Sequence, residues 1–338
     1  KTLLKIQQRY FWHQMRKDVE SWCRNCHFCG SKKPPPKKWR AHLQQYNVGA
    51  PLERIGMDIL GPFPRTSRGN KYLLVIGDYF TKWLDAIPVK DQEAITIVKA
   101  FVDRIVSIFG TPLQLHTDQG SNFEPTVFKQ ICNLLGIQKT RTTPLHPQSD
   151  GMVERGNRTI NHMLSAFVSE NQKDWDEHIY LLMLAYRSSV HQTTKVTPNE
   201  MMFGRQVTLP IELVFGSPTT NIDLPDCSEE YAFQLQNRIE KIHQFARENL
   251  QLSSDNMKRR YDKQSNILQL EHGDLVWLFN PKRSKGLCPK LQSKWEGPYS
   301  IIQKLNDVIF KIQKNKNSKP KIVHHDRLKP YTCTNNTQ

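Results

Sequence analysis

The sequences HTDQGSNF (residues 116–123) and TTPLHPQSDGMVERGNRTI (residues 142–160) decide the fold of this chain. Asp118 follows an apolar, strand-like run, and Glu154 lies near the start of a predicted helix. A third acid, Asp58, lies in another strand-like run, RIGMDILGP. Carboxylates are the hard oxygen ligands that Mg²⁺ and Mn²⁺ prefer. Because acids on neighbouring elements of one sheet can converge, the pattern predicts a metal cage of three carboxylates.

The segments around these acids alternate between strands and helices. Apolar runs bounded by turn residues predict strands at residues 52–61, 72–80 and 83–89. Apolar residues at helical spacing then predict a helix over 94–109, which Gly110 ends. Further predicted elements are a strand that leads into Asp118, a helix near 126–135, a strand at 137–143, a helix from Gly151, and helices over 174–190 and 233–250. This order implies an α/β fold, a mixed sheet with helices packed on its faces.

The two ends of the chain differ from this central part. Near the N-terminus, CRNCHFCGSK contains Cys23, Cys26 and Cys29, which form two overlapping C-x2-C pairs. One such pair supplies half of a four-ligand zinc site, with buried or incidental cysteines as the alternative. The following GSKKPPPKKWR favours a stiff, extended spacer between domains. Past Ser253, short β-like runs between Gly, Pro and Asn turns predict a small β-barrel. Most of its aromatic residues should fill the core, and a minority could stack on nucleic acid.

Charge and composition favour a polyanionic partner. The 338 residues carry a formal net charge of +16, from 48 Lys and Arg against 32 Asp and Glu, which points to nucleic acid, with plain solubility as the alternative. No apolar run of about 18 residues occurs, so the sequence predicts no membrane span. Seven cysteines, an odd number, favour a reducing compartment over a secreted disulfide framework. The chain begins at Lys1 without a secretory signal and reads as a piece of something longer.

Taken together, these motifs resemble the integrase of LTR retrotransposons and retroviruses, specifically the gypsy type. Asp118 and Glu154 have 35 residues between them and the flanks HTDQGSNF and HPQSDGMVERGNRT, and MDILGP surrounds Asp58. YFWHQMRKDVESWCRNCHFCGSKK is similar to the C-terminal half of the family's His-His-Cys-Cys zinc domain. TPNEMMFGR resembles the segment after the core, and KWEGPYSIIQKL with HHDRLKPY resembles the module named for its Gly-Pro-Tyr. The resemblance covers nearly the whole chain.

This resemblance implies an RNase-H-like mixed sheet with flanking helices, a partial helical zinc-binding domain and a small SH3-like β-barrel. The implied domains are, in chain order, the partial zinc domain (1–33), a Pro/Lys linker (34–50), the catalytic core (51–215), a helical connector (216–265) and the basic C-terminal barrel (266–332).

The resemblance also implies the chemistry. Asp58, Asp118 and Glu154 would be catalytic and would hold two Mg²⁺ or Mn²⁺ ions per active site. The ions would activate water to cut the 3′ ends of the element's DNA, and then the resulting 3′-OH for attack on a target phosphodiester. Cys26 and Cys29 would be ligands of an incomplete zinc site, because the family's paired histidines lie upstream of the position of Lys1. Zn²⁺ would therefore belong to the full-length zinc domain, and we expect this chain to bind it weakly or not at all.

A set of polar side chains is predicted to contact DNA. Some lie in the loop before the catalytic helix or one turn past Glu154 on the same face, and others lie in the C-terminal module. They are His146, Gln148, Asn157, Arg158, Lys290, Lys294 and Arg327. For each of them, an ordinary solvated or loop-ordering role is the alternative. Such contacts position DNA without specifying its sequence, and binding through them weakens with salt.

The implied partners are double-stranded DNA, both element ends and target, and further copies of the chain, since two DNA ends are joined in concert. The implied place of action is the nucleus, with no membrane involved. Two alternatives remain open at this stage. One is a domesticated or inactive descendant that binds DNA, and the other is an RNase-H-like nuclease that hydrolyses nucleic acid without joining ends.

Overall fold

The computed structural model describes most of the chain in several ranges. These are residues 2–32, 42–43, 45, 48–118, 126–141, 151–215, 228–263, 265, 268–281, 292–315 and 317–332. No helix in these ranges is both long enough and apolar enough to cross a membrane. The chain divides into two compact units, residues 45–256 and residues 1–44 together with 257–338. We call them the core unit and the terminal unit.

Each unit contains one five-stranded sheet. The core unit has the order β3-β2-β1-β4-β5, and the terminal unit has the order β10-β6-β7-β8-β9. The strands are β1 (Arg54–Leu60), β2 (Tyr72–Asp78), β3 (Leu84–Val89), β4 (Gln114–Thr117), β5 (Gln138–Arg141), β6 (Leu275–Phe279), β7 (Trp295–Lys304), β8 (Ile309–Gln313), β9 (Lys321–His324) and β10 (Leu328–Pro330).

The helices lie before, between and after these strands. They are α1 (Thr2–Gln7), α2 (Met15–Asn25), α3 (His27–Lys32), α4 (Ala94–Phe101) with a π-helical continuation (Val102–Val106), α5 (Ser107–Phe109), α6 (Thr126–Leu134), α7 (Gly151–Phe167), α8 (Trp175–Arg187), α9 (Pro198–Phe203), α10 (Pro210–Phe215) and α11 (Ser228–Asp262).

The core sheet is mixed, because β1 pairs with β2 antiparallel and with β4 parallel. Ile55 and Met57 of β1 point to one face, where they pack with α4 and α6. Leu73 and Val75 of β2 lie on the opposite face in a second cluster with α7 and α8. Alternate side chains along each strand thus feed two apolar layers, as expected for a sheet covered on both faces. The predicted α/β mixed sheet with flanking helices is confirmed.

Helix α11 belongs partly to the core unit. Its Ala246 is fully buried in a cluster with Phe80 and Met201. A Cβ added to Gly204, which follows α9, would lie 2.4 Å from Ile239 Cγ1 of α11. Part of the apolar stripe predicted for this helix is therefore packed, while Phe233 and Phe245 of the same stripe are exposed.

The sheet of the terminal unit is antiparallel throughout. A 3₁₀ turn, His325–Arg327, joins β9 to β10, which are the two outer strands of the order. This connection, and a core that includes Tyr299 and Phe310, agree with the small β-barrel expected from the sequence. The N-terminal segment contributes α1, α2 and α3, with a turn at Gln14 where the backbone has a φ of 62°.

Candidate active site

Two of the predicted acids lie side by side on neighbouring strands. β1 and β4 run parallel with Met57 opposite Thr117, so Asp58 and Asp118 are the next residues along the two strands. Met57 points into the apolar layer under α4, which directs Asp58 to the opposite face. The register therefore places Asp118, just past the end of β4, beside Asp58 within β1.

Helix α7 brings the third acid to the same place through very close packing. Val153 is fully buried, and its Cγ2 lies 2.4 Å from where a Cβ on Gly56 would be. A Cβ on Gly77 of β2 would similarly meet Met152 Cε at 2.7 Å. Glycines on two adjacent strands thus let the first turn of α7 lie directly on the sheet, and Glu154 follows Val153 in that turn.

The charges of Asp118 and Glu154 both act on Asp58. Burial is the largest cause that raises the pKa of Asp58, and the charges of Asp118 and Glu154 raise it further. The hydrogen bond from the Ile59 backbone N–H, at 2.8 Å, acts in the opposite direction. Mutual repulsion of this kind is relieved by a cation, so the donor set fits a hard divalent metal.

The carboxylates are not yet arranged around an ion. Within the described ranges, no group of three or more His, Cys, Asp or Glu side chains has a geometry that could hold a metal.

Asn157 has a contact that the sequence did not predict. Its Nδ2 donates a hydrogen bond of 2.7 Å to Asp58 Oδ2, and its own Oδ1 is buried without a hydrogen-bond partner. Asn157 lies one turn past Glu154, so both residues face the sheet end where Asp58 lies. The side chain holds the Asp58 carboxylate in place, and its contact with DNA stays a prediction.

A neutral histidine lies just below the acids. His116 Nδ1 is 2.9 Å from Thr140 Oγ1, and its ring meets the edge of Tyr79 at 6.5 Å. Burial, and then the charge of Arg54, lower the pKa of His116 to about 4. The ring therefore adds no positive charge beneath Asp118 at neutral pH. Because side chains alternate along a strand, the sequence could have predicted that His116 lies on the same face as Asp118. The sequence could not have predicted that His116 is buried.

The remaining predicted DNA contacts fall into three groups. Arg158 on α7 and Lys294 before β7 are exposed, so both are accessible to a ligand. Arg327 is partly buried and donates through Nη2, at 2.6 Å, and through Nε, at 3.2 Å, to the Phe279 carbonyl. Burial also lowers the pKa of Arg327. The other three predicted contacts, His146, Gln148 and Lys290, lie outside the described residues.

The predicted zinc ligands lie in the terminal unit, at the junction of α2 and α3. Cys26 separates the two helices and Cys29 lies within α3, and both are partly buried with thiols in no disulfide. Cys26 also accepts a backbone hydrogen bond of 2.9 Å from the Gly30 N–H. One predicted zinc ligand thus lies at the junction of the two helices, and the other lies within α3.

Family models match three parts of the chain in order. They are described as "Integrase zinc binding domain" over residues 1–35, "Integrase core domain" over residues 49–147, and "Integrase p58, C-terminal domain" over residues 297–330. Three parts of the chain thus match the zinc-binding, core and C-terminal domain models of integrases. The core match includes Asp58 and Asp118 and ends before α7, so the place of Glu154 rests on the packing of that helix.

Relatives and a solved structure agree with this assignment. The chain is 29% identical over 336 residues to the retrovirus-related Pol polyprotein from transposon 412 of Drosophila melanogaster, covering 98% of this chain and 26% of that protein. It is 28% identical over 306 residues to the transposon Tf2-3 polyprotein of Schizosaccharomyces pombe, covering 88% and 22%. The chain thus spans about a quarter of the length of these curated relatives.

The fold also matches one chain of a solved complex. The cryoEM structure of the simian T-cell lymphotropic virus intasome in complex with PP2A regulatory subunit B56 gamma aligns with a TM-score of 0.57 and 17% identity. The alignment covers 94% of this chain and 91% of that one. At this identity the likeness establishes the fold of an integrase and nothing finer.

Proposed function

We propose that this chain is a polynucleotidyl transferase that cuts the 3′ ends of an element's DNA and joins them to target DNA. Asp58, Asp118 and Glu154 are its catalytic metal ligands. The observation that carries the proposal is the placement of the two aspartates on paired parallel strands and of the glutamate on a helix packed against them. Three acids from three elements at one sheet end have no evident structural purpose, because their repulsion destabilises the fold.

Asp58, Asp118 and Glu154 would hold two Mg²⁺ or Mn²⁺ ions, which would stabilise the charge on the attacking and leaving oxygens of a displacement at phosphorus. The chain's own residues fix the geometry for this. Asn157 holds one oxygen of Asp58, and the Ile59 N–H holds the other. The glycine contacts hold the first turn of α7, and with it Glu154, against the sheet.

The two steps balance without an external energy source. In the first, a water oxygen forms a bond to phosphorus, the bond from phosphorus to the 3′ oxygen breaks, and that oxygen takes up a proton. In the second, the new 3′-OH attacks a target phosphodiester and releases a target 3′-OH. In each step one P–O bond forms as one breaks: the first step is a hydrolysis that converts a phosphodiester into a phosphomonoester and a 3′-OH, and the second exchanges one phosphodiester for another, so neither needs a covalent protein intermediate.

The partners follow from the same reaction. Double-stranded DNA, as element ends and as target, is the substrate, and the charge of +16 suits it. We propose that the chain acts as a homo-multimer, since two ends are joined in concert and a structural neighbour is an intasome. Zn²⁺ is proposed for the complete zinc domain, with Cys26 and Cys29 as two of its ligands. The nucleus is the proposed place of action.

A strand-transfer assay tests the proposal. The chain is incubated with Mg²⁺ and short duplexes that end in candidate terminal sequences, and joined products are resolved on a denaturing gel. Glu154→Gln should abolish joining, because the substitution removes a charged ligand and keeps the size of the side chain. Glu177→Gln is the matched control, since Glu177 is an exposed residue in the first turn of α8.

The outcomes separate the alternatives. Joining that is lost in Glu154→Gln and kept in Glu177→Gln supports the integrase. Cleavage without joining favours an RNase-H-like nuclease. DNA binding that Glu154→Gln leaves unchanged, with neither cleavage nor joining, favours a domesticated or inactive DNA-binding descendant.

A further inference from the structure

The sheet of the terminal unit presents a cluster of aromatic rings, which we call the aromatic face. It consists of Trp277, Trp295 and Tyr331 together with Lys329. The rings of Trp277 and Tyr331 have centroids 4.9 Å apart. The Lys329 ammonium lies 4.3 Å from the centroid of the Trp295 ring and 5.5 Å from that of Trp277. These rings are separate from the barrel core, which holds Tyr299 and Phe310.

Helix α3 lies directly on this face. The His27 ring is 4.9 Å from the Trp277 ring and 6.2 Å from the Tyr331 ring. The backbone of Gly30 approaches Trp277 so closely that a Cβ would lie 3.1 Å from Cζ2. A side chain at this position would meet the Trp277 ring tightly and would require a shift of a few tenths of an ångström.

Polar groups hold the same two surfaces together. Lys329 Nζ donates a hydrogen bond to the Gly30 carbonyl, and Lys329 is only 7% exposed. Ser31 Oγ lies 3.3 Å from Ser293 Oγ, just before β7. A buried ammonium is costly unless polar or aromatic partners surround it. Removing α3 would leave Lys329 without the Gly30 carbonyl and would expose two tryptophan rings.

We infer that the aromatic face is a docking surface for α3, so that the cysteine-bearing segment and the C-terminal module fold as one unit from opposite ends of the sequence. Two consequences follow. While α3 is docked, Trp277 is covered and does not stack on nucleic-acid bases. The backbone that carries Cys26 and Cys29 is held by the C-terminal module.

An engineered disulfide tests the contact directly in the full chain. Ser31→Cys combined with Ser293→Cys should form a link on mild oxidation, because the two hydroxyl oxygens are already close enough for a small adjustment to bring sulfurs to about 2.05 Å. Peptide mapping by mass spectrometry identifies the linked pair, and a non-reducing gel shows whether the link lies within one chain. Ser31→Cys with Ser318→Cys is the matched control, and Ser293→Cys alone controls for the native thiols.

A link between positions 31 and 293 within one chain supports the inference. A 31–293 link that appears only between two chains overturns it in favour of docking between copies, and absence of the link overturns it altogether. If 31–318 links as readily as 31–293, the contact is not specific, and the inference is also wrong.

A second measurement does not depend on oxidation. Hydrogen exchange of the α3 amides should become at least about tenfold faster in Lys329→Met, since one lost charge-assisted hydrogen bond of about 1.5 kcal/mol corresponds to that factor. Lys319→Met, at an exposed position of the same module, should leave exchange unchanged. Equal exchange in both variants would contradict docking. Protection of α3 that appears only on adding duplex DNA would mean that DNA, not the aromatic face, orders the helix.

Discussion

Among single residues, Asn157 has the most direct consequence for catalysis. Asn157→Ala removes the 2.7 Å hydrogen bond to Asp58 Oδ2. A hydrogen bond to a charged group contributes about 1.5–3 kcal/mol, which corresponds to roughly 10–100-fold in rate if the bond persists in the transition state. We expect joining to slow by that factor and half-saturation to require more Mg²⁺. Rates of joining measured across a series of Mg²⁺ concentrations check this.

Asn161→Ala is the control for that variant, because Asn161 is exposed one turn further along the same helix. It should leave both the rate and the Mg²⁺ dependence unchanged. Equal losses in the two variants would mean that the effect comes from the helix and not from the bond to Asp58.

Lys82 should make stability depend on pH. Burial lowers its pKa from 10.5 to about 8, against the attraction of Asp78 and with some help from Arg155. Between pH 8 and 10.5 the unfolded chain binds more protons at this site than the folded chain, so the free energy of unfolding rises with pH there. Lys82→Met should abolish this rise. Methionine and lysine both carry a Cβ, so the backbone φ of 63° at this position is equally strained in the variant and in the wild type.

Chemical denaturation at several pH values measures this effect. The wild-type protein should gain stability relative to Lys82→Met as pH increases from 8 to 10.5, while Lys99→Met, at an exposed site on α4, should track the wild type. A constant difference between wild type and Lys82→Met over this range would contradict the lowered pKa of Lys82.

At the scale of elements, the packing of α7 against the sheet decides where Glu154 lies. Gly56→Ala places a Cβ 2.4 Å from Val153 Cγ2, and the helix must shift to relieve the overlap. Overpacking of this kind costs about 1–3 kcal/mol. We expect a lower melting temperature and a loss of joining larger than the loss of folded protein, because Glu154 moves with the helix.

The double variant Gly56→Ala/Val153→Ala isolates this cause, because it removes the methyl group that the new Cβ would meet. Joining should partly recover in the double variant. If the two substitutions caused unrelated defects, their effects on joining would simply add. Gly151→Ala is the control, since nothing lies within 4 Å of a Cβ at that position of α7.

The sequence was sufficient to predict the elements that carry the acids. Strand and helix periods are local properties, so β1, β4 and α7 and their acids could be read from spacing and turn residues. The hydrogen bond from Asn157 to Asp58 could not be predicted, because it depends on how closely α7 packs against the sheet. That close packing is fixed by Gly56 and Gly77, whose importance appears only when the helix is seen against them.

At the scale of the whole molecule, long-range packing exceeded what the sequence could predict. The C-terminal tryptophans appeared to be barrel core or a stacking platform, but Trp277 and Trp295 lie in a cluster of their own. Trp277 contacts α3, from the other end of the chain. No local pattern encodes a contact across about 250 residues, since periodicity reports which face is apolar and not what covers it.

The charge of the whole molecule should dominate its binding to DNA. Two residues of the C-terminal module that are predicted to contact DNA, Lys294 and Arg327, should behave differently when they are substituted. Each phosphate contact contributes about −0.9 to the slope of log K against log salt concentration. Lys294→Gln should reduce the slope by about that amount without changing the melting temperature, because Lys294 is exposed. Arg327→Gln should lower the melting temperature, because the Phe279 carbonyl loses two N–H donors.

Fluorescence anisotropy with a labelled duplex from about 50 to 200 mM salt measures the salt dependence of DNA binding, and thermal melts measure the stability of both variants. A slope that Lys294→Gln leaves unchanged would remove this residue from the DNA interface, and an unchanged melting temperature in Arg327→Gln would show that the guanidinium is free to bind phosphate.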